Sequence, residues 1–375
     1  MTRDDAMTAR AASGAALASA AGPTGRAELA ILDVGDPRWV DYVCGHPAAT
    51  PFHHQSWVGL VSESYRFPAF AAAVLDTRGD VIAGIPIVEV RHRPSRPRWV
   101  ALPFTDHCPP LVTTADGEAA LQAGLRYALA SSGARSMEVR GELTGVSAHQ
   151  VGVRHLLRLD RDEGAVFAGF HASQVKRNIR RAQRAHVTVR PGTREQDLTE
   201  TFYRLHLMTR RRQGVPVQPR RFFVMLWHRV LAQGYGTVLI AEHDGRPVAA
   251  AVFLRHNATL IYKYGASDAA AWSLRPNHAL FWHAIRDGCA AGDSWLDWGR
   301  SDAGNHGLRA FKASWGAEEL PLVHSVLRAD GAASGFRTGR RLAPSRASTA
   351  AGALISHSPP LVCRIAGRTL YRYTA

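Results

Sequence analysis

Cysteine is scarce and unpatterned: Cys44, Cys108, Cys289 and Cys363 lie far apart in 375 residues, with no CxxC or Cys/His ligand spacing. This spacing argues against a disulfide framework and a zinc site, and fits free thiols in a reducing compartment. Apolar runs of membrane-spanning length are missing too. No GxSxG occurs and no cysteine has a recognisable nucleophile context, so a catalytic triad has no support. His53 and His54 are adjacent, cannot share one helix face and lack a third ligand, which argues against a metal site. Aromatics make up only 8%, yet 46% hydrophobic content is ample for globular cores.

Positive charge is abundant. Forty-six Lys plus Arg against 31 Asp plus Glu leave a formal net charge of +15, with arginine in place of lysine almost throughout. Such an excess implies polyanionic partners: nucleic acid, phosphorylated substrates or an anionic membrane face. The alternative is an arginine-rich composition that spreads charge without purpose.

At this length two domains are expected. Residues 1–26 read as a disordered leader, since the run AASGAALASAAG is weakly hydrophobic and follows Asp4 and Asp5. Residues 27–160 and 161–330 repeat one order, β-α-α-β-β-β-α-β-(α)-β, which predicts a duplicated α/β unit. Each half holds a hairpin, AVLDTRGDVIAGIPI in the first and LIAEHDGRPVAAAVF in the second. The second carries Asp-Gly at its turn. SQVKRNIRRAQR, 173–184, predicts an amphipathic helix with Val175, Ile179 and Ala182 as its apolar stripe. Lys176, Arg180 and Arg184 line one flank and Arg177 and Arg181 the next. Without interleaved aromatics or a base-reading motif, this segment does not predict sequence-specific DNA binding. Residues 331–375 form a basic tail in which PPLVCRIAGRTLYRY predicts a terminal helix. That helix either docks on the body, the favoured reading, or lies on an anionic membrane surface.

The duplicated order matches the GNAT acyltransferase fold, whose central strands splay to admit an acyl donor. The second half further resembles the Fem-type (FemAB/FemX-like) aminoacyltransferases and the FemAB-like (BioF2-like) acetyltransferase domains. The residues that carry this resemblance are KRNIRRAQR, YRLHLMTRRRQGVPVQPRRFF, YKYGASD, LRPNHALFWHAI and LDWGRSDAGNHGLRAFKASWGA. It covers about residues 30 to 330, strongly after 165 and loosely before. The fold expected is therefore α/β, two tandem GNAT-like acyltransferase domains with mixed, mostly antiparallel central sheets and flanking helices.

The resemblance directs attention to the C-terminal ends of TLIYKYGA and SWLDWG. Fem-type enzymes carry a lysine in the motif matching Phe311-Lys312, and there it is implicated in neutralising the oxyanion formed when an amine attacks an acyl carbonyl. A surface lysine is the alternative for Lys312. Asp297 at a strand end either anchors an arginine or binds the attacking amine, or it serves as a buried ion pair or turn cap. Asp106 resembles a Fem-family aspartate that reaches the cleft from the other domain as base or amine anchor; an Asx-turn before the prolines is the alternative. Arg300, Ser301 and Asn305 follow in a polar connecting loop suited to substrate contacts, though Asn305 equally holds a turn.

Strand alternation places Tyr262 and Tyr264 on one face and Lys263 on the other, with Lys263 and Tyr264 as secondary candidates. The Gly-rich loop that cradles the CoA pyrophosphate in many GNAT enzymes is replaced by SLRPNHAL. Arg275, Asn277 and the free amides beyond Pro276 remain for one phosphate. Lys176 and Arg180 are placed to meet phosphates of a tRNA acceptor end or of a nucleotide- or lipid-linked acceptor.

These readings predict a cytoplasmic N-acyltransferase, possible as a peripheral protein of the inner membrane face, with no tightly bound cofactor. Its co-substrate would be an aminoacyl-tRNA, an acyl-CoA or an acyl carrier thioester. The acceptor is an amine, with a cell-envelope precursor among the candidates. The rival reading is a non-catalytic RNA- or polyanion-binding protein on a degenerate GNAT scaffold.

Overall fold

The computed structural model describes residues 27–91, 94–330, 352, 355–356 and 359–371. The expected leader, 1–26, and most of the basic tail before Pro359 lie outside the described residues. The first half runs β1 (Glu28–Leu32), α1 (Pro37–Gly45), α2 (Gln55–Tyr65), β2 (Ala69–Leu75), β3 (Val81–Val90), β4 (Arg98–Val100) and β5 (Leu111–Val112). It continues through α3 (Ala115–Ser131), β6 (Ser136–Val139) and β7 (Ala148–Arg158). The second half holds α4 (Glu163–Ala168), α5 (Arg177–Arg184), β8 (Thr188–Pro191), α6 (Tyr203–Arg212), α7 (Arg220–Leu226), β9 (Gly236–His243) and β10 (Arg246–His256). After these come β11 (Thr259–Ser267), α8 (Pro276–Ala291), β12 (Trp295–Ser301), α9 (His306–Ser314) and β13 (Glu318–Arg328). A further helix, α10 (Pro360–Leu370), follows near the end of the chain.

Local chemistry explains several element ends. Asp36, Thr114, Asp162 and Asn305 each accept a backbone N–H at a helix start. Prolines open α1 and α8. Gly292 ends α8 in the left-handed conformation, φ 79°. Asp244 and Gly245, both at positive φ, close the β9–β10 hairpin as Asp-Gly pairs do. The basic segment departs from one regular helix: Ala172–Lys176 is a π turn that feeds α5. Its expected stripe is nevertheless the buried one, with Val175, Ile179 and Ala182 closed off from solvent.

The two halves do not keep separate sheets. One sheet of thirteen strands runs in the order β1-β2-β3-β4-β6-β13-β7-β12-β11-β10-β9-β8, with β5 pairing β3. It is mixed and mostly antiparallel, the parallel pairs being β4 with β6 and β11 with β12. The strand that closes the second half, β13, inserts between β6 and β7, while β7 pairs with β12. Leu143 N accordingly donates to Ser325 Oγ at 3.1 Å across 182 residues of chain. One apolar core crosses the halves, joining Trp57, Leu60, Val100 and Leu102 to Phe202, Phe222, Phe223 and Val252. A second core lies between α5, α8 and the sheet, around Phe170, Ile179, Phe281, Trp298 and Trp315. Among the described residues no helix is long and apolar enough to cross a membrane.

Candidate active site

The site forms where β11 and β12 separate. These parallel neighbours pair at only three positions, Thr259 with Trp295, Leu260 with Leu296 and Ile261 with Asp297. Beyond Ile261 each strand follows its own course. A β-bulge interrupts β11 here: Val252 of β10 faces Tyr264 and Phe253 faces Tyr262, so Lys263 is skipped. The expected alternation fails for this reason. Tyr262 packs with Phe253, Phe281 and Trp298, whereas Tyr264 packs with His206, Phe222 and Phe223 in the other core.

Three charged groups from distant segments meet at this point. Asp297, buried on β12, accepts Arg154 Nε at 2.8 Å through one oxygen and Gly299 N at 2.8 Å through the other. Gly299 turns at φ 67°, where a side chain would be strained, and a Cβ there would stand 3.2 Å from Asp106 Oδ2. The same Asp106 oxygen accepts Arg300 N at 3.3 Å. Asp106 is fixed by its loop, since its carbonyl lies 3.0 Å from His324 Nε2 on β13. Lys312 rises from α9 and donates to the carbonyl oxygens of Gly299 at 2.8 Å and Arg300 at 2.9 Å. Only 3% of this lysine is exposed. Burial lowers its ammonium to about 8, against the opposing pull of Asp106 and Asp297.

The chain has three lysines, Lys176, Lys263 and Lys312, and the last two lie within the electrostatic reach of Asp106 and Asp297. Lys263 donates to the Phe104 carbonyl at 2.7 Å and its ammonium lies 4.8 Å and 5.2 Å from the ring centroids of Phe52 and Trp57. Burial lowers its pKa too, opposed by Asp106 and reinforced by Arg140. Histidines crowd the first-half wall in neutral form: burial takes His107 down to about 3 and His53 to about 4. Burial raises the Tyr264 phenol well above its ordinary value, which removes it as a base.

The other expected residues divide into two groups. Arg300 turns its guanidinium to Asp302 at 2.9 Å, and Ser301 is buried with its hydroxyl unpartnered among the described residues. Asn305 caps α9 through Leu308 N at 3.1 Å and stands exposed, so it holds the turn. Lys176, Arg180, Arg275 and Asn277 gather elsewhere, on α5 with its preceding turn and at the start of α8, which pack together through His278 Nε2 and the Gln174 carbonyl at 3.1 Å. Lys176 donates to the Ala168 carbonyl at 2.8 Å, while Arg180 is exposed. Arg275 caps α8 at φ 60°, its Nε buried without a partner among the described residues.

Sequence reasoning missed Arg154, His324 and Phe104, which hold the candidate residues in place. Arg154 stands 143 residues before Asp297 and looks like any polar position of a half-buried strand. The bulge at Lys263 likewise has no local marker, because only the β10 partner strand reveals it.

β11 and β12, parallel neighbours that part after three paired positions, are the splayed strands that the expected GNAT-like fold calls for. Residues 169–313 match the family described as acetyltransferase (GNAT) domain. The chain also has neighbours among solved structures. It superimposes on FemX with a TM-score of 0.65 at 14% identity, covering 80% of this chain and 97% of that one. L-PGS from Bacillus licheniformis gives 0.52 at 12% identity, covering 87% and 99%. A C-terminal domain (DUF2156) named provisionally as that of a lysylphosphatidylglycerol synthetase, from Agrobacterium fabrum, gives 0.50 at 15%, covering 78% and 92%. At such identities the likeness is one of fold. No curated protein matches the chain by sequence.

Proposed function

We propose that the chain transfers an acyl or aminoacyl group to an amine at the opening between β11 and β12. The observation that carries this reading is the convergence of Lys312, Asp106 and Asp297 at one strand end. In the reaction the amine nitrogen bonds to the acyl carbonyl carbon, and the carbonyl oxygen gains negative charge. The Lys312 ammonium, already fixed on two carbonyls, supplies positive potential there without reorganisation. Asp106 takes the proton from the attacking nitrogen and returns it to the leaving oxygen or sulfur as the tetrahedral intermediate collapses. Asp297, locked by Arg154, shapes the Gly299 turn that presents Asp106 and Lys312 to one another.

The donor is an aminoacyl-tRNA or an acyl thioester. Lys176, Arg180, Arg275 and Asn277 on the α5 and α8 side provide a cationic approach for its phosphates. The acceptor is an amine of a cell-envelope precursor, in keeping with the FemX and L-PGS neighbours, and the work is done in the cytoplasm. The purified chain is to be incubated with charged tRNA and, separately, with acyl-CoA in the presence of an amine acceptor. Consumption of one donor, lost in Asp106→Asn, is expected. Consumption of neither, together with binding of uncharged RNA, would instead favour a polyanion-binding protein.

A further inference from the structure

Helix α10 has two unlike faces. Its inner face is closed on the body: Cys363 is buried, with Sγ 3.6 Å from the Val215 carbonyl oxygen, and a Cβ at Gly367 would overlap the Val217 carbonyl. Just past the helix Tyr371 stacks on Tyr65, with ring centroids 6.1 Å apart. The outer face presents two exposed apolar side chains. Leu361 is 62% exposed and Ile365 53%, two of the six large apolar side chains so exposed among the described residues. They sit one turn apart, and Arg364 shares their side of the helix.

Arginines surround this face. Arg364 lines a pocket of about 650 Å³ with Arg66 from the end of α2 and Arg220 and Arg221 from the start of α7. An adjoining pocket adds Arg204 and a single carboxylate, Glu200, which is paired with Arg220 at 3.3 Å. Among the described residues Arg66, Arg221 and Arg364 form no salt bridge, and residues 331–375 contain seven arginines and no Asp or Glu.

We propose that this face, α10 with its ring of arginines, docks the protein on an anionic lipid bilayer. Interfacial binding needs two signals, apolar area that enters the acyl boundary and cations that meet the headgroups, and either alone is marginal. Here both occur on one surface. A second copy of the chain is a poor occupant, because a two-fold contact would set the arginines against their own copies. A nucleic acid would use the arginines but give no role to Leu361 and Ile365.

The test is co-sedimentation of the full chain with vesicles of phosphatidylcholine alone or with phosphatidylglycerol added, at low and high salt. Binding only to the anionic vesicles, reversed by salt, is expected. Arg66→Gln, Arg221→Gln and Arg364→Gln should each weaken it about fivefold, and Leu361→Ser with Ile365→Ser by on the order of tenfold. Unchanged thermal unfolding of these surface variants would exclude misfolding as the cause. Equal binding to both vesicles, or binding that survives the variants, overturns the proposal. So does absence of vesicle binding, whether the face then proves to hold RNA or a second copy.

Discussion

Replacing Lys312 by methionine removes the ammonium and keeps most of the packed stem. Two opposing changes follow. The carbonyls of Gly299 and Arg300 lose bonds of 2.8 Å and 2.9 Å, at about 1–3 kcal/mol for each carbonyl left without a partner. In return, the cost of keeping a buried cation disappears. That cost is about 3 kcal/mol at neutral pH, from a pKa brought from 10.5 to about 8. Net stability at pH 7 should therefore change little, while transfer collapses. The pH dependence separates the terms. Because the folded pKa lies below the unfolded one, the unfolded chain binds more protons above pH 8, and the wild type gains stability as pH rises. The gain is about 2 kcal/mol between pH 7 and about pH 9.5, and Lys312→Met should lack it. Urea unfolding of both proteins at the two pH values measures the difference directly. An unchanged difference would refute the buried-ammonium description, and near-normal turnover in the variant would remove Lys312 from the chemistry.

Other outcomes follow from the same contacts. Arg154→Met leaves the buried Asp297 carboxylate with only the Gly299 amide and should cost about 3–5 kcal/mol in urea unfolding, most of it recovered by adding Asp297→Asn. His206, bonded to Gln218 at 2.8 Å, is held by burial at about 4 against an unfolded value of 6.5. Its contribution is complete above pH 6.5 and fades as pH falls toward 4, so about 2 kcal/mol should be lost between pH 7 and pH 5. His206→Gln should flatten that slope; an unaltered acid limb would contradict the assignment.

Much of this architecture was legible in the chain. The hairpin at Asp244–Gly245, the proline-led α8 and the Val175, Ile179, Ala182 stripe each follow from a local preference that packing reinforces. The neighbourhood of Lys312, Asp106 and Asp297 was also legible, through motif resemblance. What spacing could not convey was pairing between distant segments. The insertion of β13 beside β6, the bulge that ejects Lys263 and the partnership of Arg154 with Asp297 are all decided across more than a strand's length of chain. Asn305 shows the opposite limit: a polar loop residue beside the site turned out to satisfy a helix end.

The position of β13 has a consequence for how the protein is made. On the ribosome the first half emerges complete in sequence but unfinished in structure, since the edge of β6 awaits Ser325–Arg328. Until then β7 also lacks both neighbours, β12 and β13. An exposed strand edge of that kind invites pairing with other chains. Folding should therefore stay incomplete until β13 has emerged, and fragments cut near residue 160 should aggregate rather than fold as independent units.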